Sequence, residues 1–197
     1  MNRREYLKNT TAVLGFALSS ASMSALFVSC AKEAKLDWKP VFLKPNQAEI
    51  VAEIAETILP KTKTPGAKEL GVPQFIDKMV NDTKDEKGKE EFLKGLEEFD
   101  ERCEDKYGKS FVALTPKEKT EYLMIHESES PRSGMNLWGI NLEPNAQKPT
   151  FYKAIKGLTL FGFYTSEKVG KEILAYQDIP GEYLPCIPLN GQNAWNE

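Results

Sequence analysis

The stretch KGKEEFLKGLEEFDERCEDKYG, residues 87–108, decides the fold. Phe92, Leu96, Phe99, Cys103 and Tyr107 recur at steps of three and four through a dense background of charge. That spacing collects them on one stripe of an α-helix and sends the charges to the opposite face. Gly108 closes the run, where a left-handed residue suits a helix end.

The same grammar repeats on both sides. Upstream, Ile50, Val51, Ile54, Ile58 and Leu59 fall at helical spacing, with Asn46 as the expected N-cap and Pro60 as the stop. Thr64-Pro65-Gly66-Ala67 reads as a turn, and Val72-Pro73 opens a second helix with Phe75, Ile76, Met79 and Val80 on its buried stripe. Downstream, Thr115-Pro116-Lys117-Glu118 is a capping box that opens a helix through Tyr122, Leu123 and Ile125. Two more helices are predicted over about 150–163 and 166–176. No segment alternates with period two. The expectation is an all-α protein: one compact domain of about six helices in residues 45–197, a long irregular loop over 127–149 around Trp138, and an extended tail from Asp178.

Residues 1–30 have a different character. Arg3 and Arg4, followed by Tyr6, Leu7 and Lys8, read as a twin-arginine export signal, which carries proteins already folded in the cytoplasm. Residues 10–29 carry no charge but hold five serines and two threonines, too polar for a stable span of about 20 apolar residues. Cys30, after Ser29, matches a lipoprotein cleavage site and would be the lipidated first residue of the mature chain. This segment is set aside from the fold. Residues 31–44 read as a tether and a docking segment around Trp38 and Phe42. The protein is therefore expected in the periplasm or cell envelope, held at the membrane by Cys30.

Removing Arg3, Arg4, Lys8 and Glu5 with the signal takes the formal charge from −3 to −5. An acidic balance argues against nucleic acid, which needs a basic face to neutralise phosphates. Export puts Cys103 and Cys186 where disulfides persist. They either form one bridge that pins the tail or stay free, Cys103 buried and Cys186 at a partner interface.

Catalytic chemistry is missing from the sequence. His126 is the only histidine, too few for a zinc or haem ligand set, and reads as a solvated or capping residue at the end of its helix. There is no C-x-x-C-H, no P-loop and no G-x-G-x-x-G after a strand. Glu97-Glu98, Asp100-Glu101 and Glu104-Asp105 read as a solvated face among lysines. Ser128, Ser130 and Ser133 have no base near them. No catalytic residue, bound cofactor or metal is assigned to this chain.

A resemblance then joins the pieces. Ile58-Leu59-Pro60, Thr64-Pro65-Gly66-Ala67 and Gly71-Val72-Pro73-Gln74-Phe75-Ile76-Asp77 resemble the gluconate 2-dehydrogenase subunit 3 family. Leu158-Thr159-Leu160-Phe161-Gly162-Phe163-Tyr164-Thr165-Ser166-Glu167 is similar to its second block. Leu174-Ala175-Tyr176, Pro180-Gly181-Glu182-Tyr183 and Pro185-Cys186 are similar to its C-terminal end. The resemblance implies a non-catalytic small subunit that escorts an FAD-dependent oxidoreductase of the glucose–methanol–choline type through export. FAD would sit in that partner, and haem c in a cytochrome subunit where one completes the complex. Gluconate, glucose, other polyols and glycosides are the implied substrates, bound by the other chain.

On that reading the partner contact falls on Phe161, Gly162, Phe163 and Tyr164, with the turn from Pro65 and Gly66 to Pro73 beside it and Tyr183 from the tail. Gly162 to Ser166 reads as an aromatic break between two helices, and exposed aromatics are common interface anchors. The plain alternative is that the glycines serve helix ends and the aromatics belong to the core. Two rival classes stand beside the escort: an enzyme in its own right, and a free-standing exported lipoprotein that binds an extracellular ligand.

Overall fold

A computed structural model describes residues 36–130, 136–137, 140–141 and 149–175, with isolated positions in the tail. Arg3, Arg4, Cys30 and Tyr183 lie outside the described residues. Among the described residues six α-helices follow one another: α1 (Pro45–Ile58), α2 (Val72–Thr83), α3 (Glu86–Tyr107), α4 (Pro116–Glu129), α5 (Phe151–Tyr164) and α6 (Glu167–Glu172). A 3-10 turn, Phe111–Ala113, links α3 to α4. The protein is all-α, and Leu36–Glu197 forms one compact unit.

Helix α1 is the centre of the bundle. Ala48, Val51, Ile54 and Ala55 are fully buried, and α2, α4, α5 and the 3-10 turn all pack on them. The α3 stripe inserts Phe92, Leu96, Phe99 and Cys103 into the same core. Phe99 meets Phe111 and Tyr122 edge-on at 5.2 and 5.0 Å, an aromatic geometry that adds to the area it buries. The Tyr122 hydroxyl donates to the Phe99 carbonyl at 2.7 Å, so that phenol is paired inside the cluster.

The caps explain most boundaries. Asp85 accepts the Gly88 N–H at 2.9 Å and starts α3, and Gly108 ends it at φ 70°. Thr115 and Glu118 complete their reciprocal box. The first boundary differs from expectation: α1 begins at Pro45 with Lys44 as N-cap, not Asn46. Gln47 supplies the acceptor for the Lys44 N–H at 3.1 Å, so the proline at the first position is what fixes the start.

Two other expectations are corrected. Helix α4 runs to Glu129, so the irregular stretch starts later than residue 127, and within it β1 (Asn136–Leu137) and β2 (Ile140–Asn141) form a two-rung antiparallel ladder. Helix α6 stops at Glu172 rather than near residue 176, and described positions of the tail hydrogen-bond to the segment that follows it. The Ala175 N–H donates to the Ala194 carbonyl at 2.8 Å, and Asn193 Nδ2 donates to the Ile173 carbonyl at 2.5 Å.

The docking segment is held by a buried charge. Asp77 on α2 is fully buried and accepts the N–H groups of Val41, Phe42 and Leu43 at 2.6, 3.2 and 2.8 Å. Consecutive amides turned towards one carboxylate make a backbone nest, which offsets the cost of burying the anion. Leu43 joins the core, while Leu36, Trp38 and Phe42 pack against it.

Candidate partner-docking surface

Helix α5 carries few charges and is apolar on most sides, so the bundle can bury only part of it. Tyr152, Ile155, Thr159, Gly162 and Phe163 face inward. Gly157, Phe161 and Tyr164 are exposed, Phe161 at 45 % and Tyr164 at 53 %. Phe161 and Tyr164 are thus the large aromatics that this helix leaves in water, which makes them the candidate contact.

The aromatics are seated from below. A Cβ on Gly162 would lie 2.6 Å from Phe75 Cδ1, so only glycine lets the Phe75 ring of α2 close onto α5. Phe75 in turn lies 5.7 Å from the Phe161 ring, and Tyr164 meets Phe163 edge-on at 5.4 Å. Rotamers fixed in this way lose little freedom when a partner covers them.

Ion clusters stand at both ends of the exposed stretch. Glu127 pairs with Lys153 and Lys156, the latter at 2.8 Å. Glu69 joins Lys61 at 2.7 Å and Lys168 at 2.9 Å, tying the turn before α2 to α6. Lys153 and Lys156 hold the Glu127 carboxyl down at about 2, and Lys61 and Lys168 do the same for Glu69. These groups are solvated, so their contribution to stability is small.

The sequence-predicted contact therefore divides. Phe161 and Tyr164 are on the surface. Phe163, only 7 % exposed, is core, and Pro73 and Gly162 are buried beside it. Gly66 is buried too, because a Cβ there would collide with the Glu56 carboxylate that caps the Lys61 and Lys68 amides. Pro65 is half-buried. Gly162 and Phe163 are not in a break: α5 continues to Tyr164, and Ser166 is the N-cap of α6. Four of the predicted contact residues are thus unavailable to a partner unless the domain opens.

Other polar residues are structural where they were read as solvated. Asp100 accepts the Ser110 hydroxyl at 2.9 Å and the Phe111 N–H at 2.8 Å, fixing the 3-10 turn. His126 is half-buried, 4.7 Å from the Tyr122 ring and 4.9 Å from Phe99. Burial first, then the nearby Arg102 charge, pushes the imidazole below its ordinary value. It borders a cleft of about 230 Å³ with Arg102, Glu129, Ser130 and Thr150. Ser130 donates to the His126 carbonyl at 2.7 Å and not to the ring, so no serine–histidine dyad forms there. Lys119, nearly buried, donates to Glu53 at 2.6 Å, and Lys68 reaches the same carboxylate. Burial alone would raise the Glu53 carboxyl, and the two lysines outweigh it.

Cys103 and Cys186 are both free. Cys103 is fully buried with its Sγ 3.6 Å from the Lys109 carbonyl, and burial pushes the thiol up to about 11. Cys186 is exposed. Among the described residues no group of His, Cys, Asp and Glu could hold a metal ion, and no helix is long and apolar enough to cross a membrane.

Comparison with known families identifies the chain's family. Residues 45–181, well over half of the chain, match the model of the family described as gluconate 2-dehydrogenase subunit 3. No curated protein and no solved structure matches.

Proposed function

Because the chain belongs to the gluconate 2-dehydrogenase subunit 3 family, we propose that it works as the non-catalytic small subunit of a membrane-associated, FAD-dependent sugar or polyol dehydrogenase. FAD belongs to the partner subunit, of glucose–methanol–choline type, and haem c to a cytochrome subunit where the complex has one. The small subunit escorts the flavoprotein through twin-arginine export on Arg3 and Arg4, stabilises it, and holds it at the cell envelope through lipidated Cys30. The family match carries this reading, and the paired arginines support it: the route accepts folded cargo, which a cofactor-loaded partner requires.

Docking on Phe161 and Tyr164 is consistent with the same reading. They are the large aromatics that α5 leaves in water, next to a seated Phe75. An obligate interface buries upwards of about 2,000 Å², so these two would be the centre of a wider contact.

Tagged protein purified from its native host tests the proposal. It should bring down a flavin-containing chain, and deleting its gene should abolish sugar dehydrogenase activity at the membrane. If neither happens, the escort reading is wrong, and the cleft beside His126 becomes the place to seek a ligand for a free-standing binding lipoprotein.

A further inference from the structure

Helix α5 contains two glycines, and among the described residues only one meets a neighbour that requires it. Gly162 must lack a Cβ because Phe75 occupies that space, as Phe151 does above Gly95 on α3, 2.8 Å from where a Cβ would sit. Gly157 has no such neighbour. Among the described residues nothing lies within 4 Å of its would-be Cβ, and its φ is not in the left-handed region. An exposed glycine in a helix interior weakens that helix relative to alanine, through the freedom it loses on folding.

The position of Gly157 gives it a use. Gly157, Phe161 and Tyr164 stand at i, i+4 and i+7, one line of about 10 Å along the outward face at a rise of 1.5 Å per residue. Residues 157–166 contain no charged side chain in a chain that is 28 % charged. At each end of the line two lysines share one glutamate: Lys153 and Lys156 with Glu127, and Lys61 and Lys168 with Glu69. Glu127 is ionised at neutral pH, so the Lys153–Lys156 cluster carries one surplus positive charge, whereas Glu172 also acts on Lys168 and leaves the Glu69 cluster without one.

We propose that this line seats a helix of the partner subunit, which crosses α5 at Gly157 and carries an acidic residue at the Lys153–Lys156 end of its own uncharged stripe. The inference rests on the docking reading above and names the partner's chemistry. Helix axes normally pack 8–10 Å apart, with the separation set by the side chains at the contact, and glycine permits the closest approach. Phe161 and Tyr164 then fill the partner's grooves one and two turns on. The surplus lysine charge at the Lys153–Lys156 end favours an acidic residue on the partner there and fixes its register.

The deciding variant is Gly157→Leu in the full chain, because the open space around Gly157 lets the free domain fold. The free chain should melt at or above the wild-type temperature, while the flavin-to-chain ratio of the tagged complex, read over a dilution series, should fall about tenfold in apparent affinity. Gly157→Ala should raise the melting temperature with a smaller loss of complex. A Gly157→Leu complex with wild-type affinity overturns the inference, as does a lower melting temperature, which would give Gly157 an internal role. Phe161→Ala separates the two readings. If it leaves the complex intact the docking surface itself is misplaced, and if it weakens the complex while Gly157→Leu does not, only the crossing helix is wrong. Sedimentation of the free chain covers the other occupant: self-association lost in Gly157→Leu would assign the line to a second copy and overturn the partner helix.

Discussion

Phe161 and Phe163 stand two residues apart on α5 and face opposite ways, one 45 % exposed and the other 7 %. Their alanine variants should separate accordingly. Phe163→Ala removes a core ring and should cost about 3 kcal/mol in urea unfolding. Phe161→Ala and Tyr164→Ala should leave the free domain within about 0.5 kcal/mol of wild type and show their effect on the complex. Equal destabilisation by all three would mean that the α5 surface is packed rather than open.

Overpacking should be visible at Gly162. Alanine there pushes the Phe75 ring and should cost about 1–3 kcal/mol by thermal or urea melts. Phe75→Leu in the same chain should return part of that loss, because the pair is in direct contact and their effects need not add. Strict additivity would contradict the close approach.

Asp77→Asn keeps the shape and removes the charge that three amides share. Hydrogen bonds to charged groups are worth more than neutral ones, so a loss of about 2 kcal/mol is expected. Limited proteolysis should then cut within residues 36–44, which are packed in the wild type. Unchanged protection would show that apolar packing alone holds this segment.

His126 gives a clean acid signature because the chain has no other histidine. Its folded-state value is lowered from the ordinary 6.5, so the unfolded chain binds the proton more readily. The stability it contributes is therefore complete above 6.5 and declines as pH falls below that value. Glu69, Glu118 and Glu127, held near 2, change little until below about 4.5. Unfolding free energy should thus drop between pH 7.5 and 5 in the wild type and stay flatter in His126→Gln. A parallel decline in both would remove His126 as the cause.

Thiol labelling should sort the cysteines. A maleimide at neutral pH should modify Cys186 in the folded protein and reach Cys103 only after unfolding, given its burial and a thiol pushed up to about 11. A non-reduced digest with neither residue labelled and the two peptides joined would restore the bridge.

How much of this was legible depends on whether a residue's fate is set locally. The α3 stripe, its glycine end and the Thr115 box are set by spacing and caps, and the sequence carries them in full. Helix α5 is different. It is apolar on nearly every side, so no periodicity tells Phe163 from Phe161, and only the position of α2 decides which ring is covered. Gly162 looked like a break because glycine among aromatics usually is one, whereas here it makes room for a ring 87 residues earlier in the chain. His126 precedes Glu127 near the end of its helix, and that position concealed a burial that comes from Phe99 and Tyr122. Asp77 likewise finds its partners 34–36 residues away.

The contact between Ser130 and Thr150 has a use of its own. Their hydroxyl oxygens lie 2.8 Å apart, so residues 130 and 150 are brought together at one point. Closure entropy grows only slowly with length, and a loop already gathered at its base exerts little pull on the helices it joins. That makes the joined ends a socket for protein engineering: a small fluorescent or affinity module spliced in between residues 130 and 150 would load the helices little and could follow assembly of the complex in living cells.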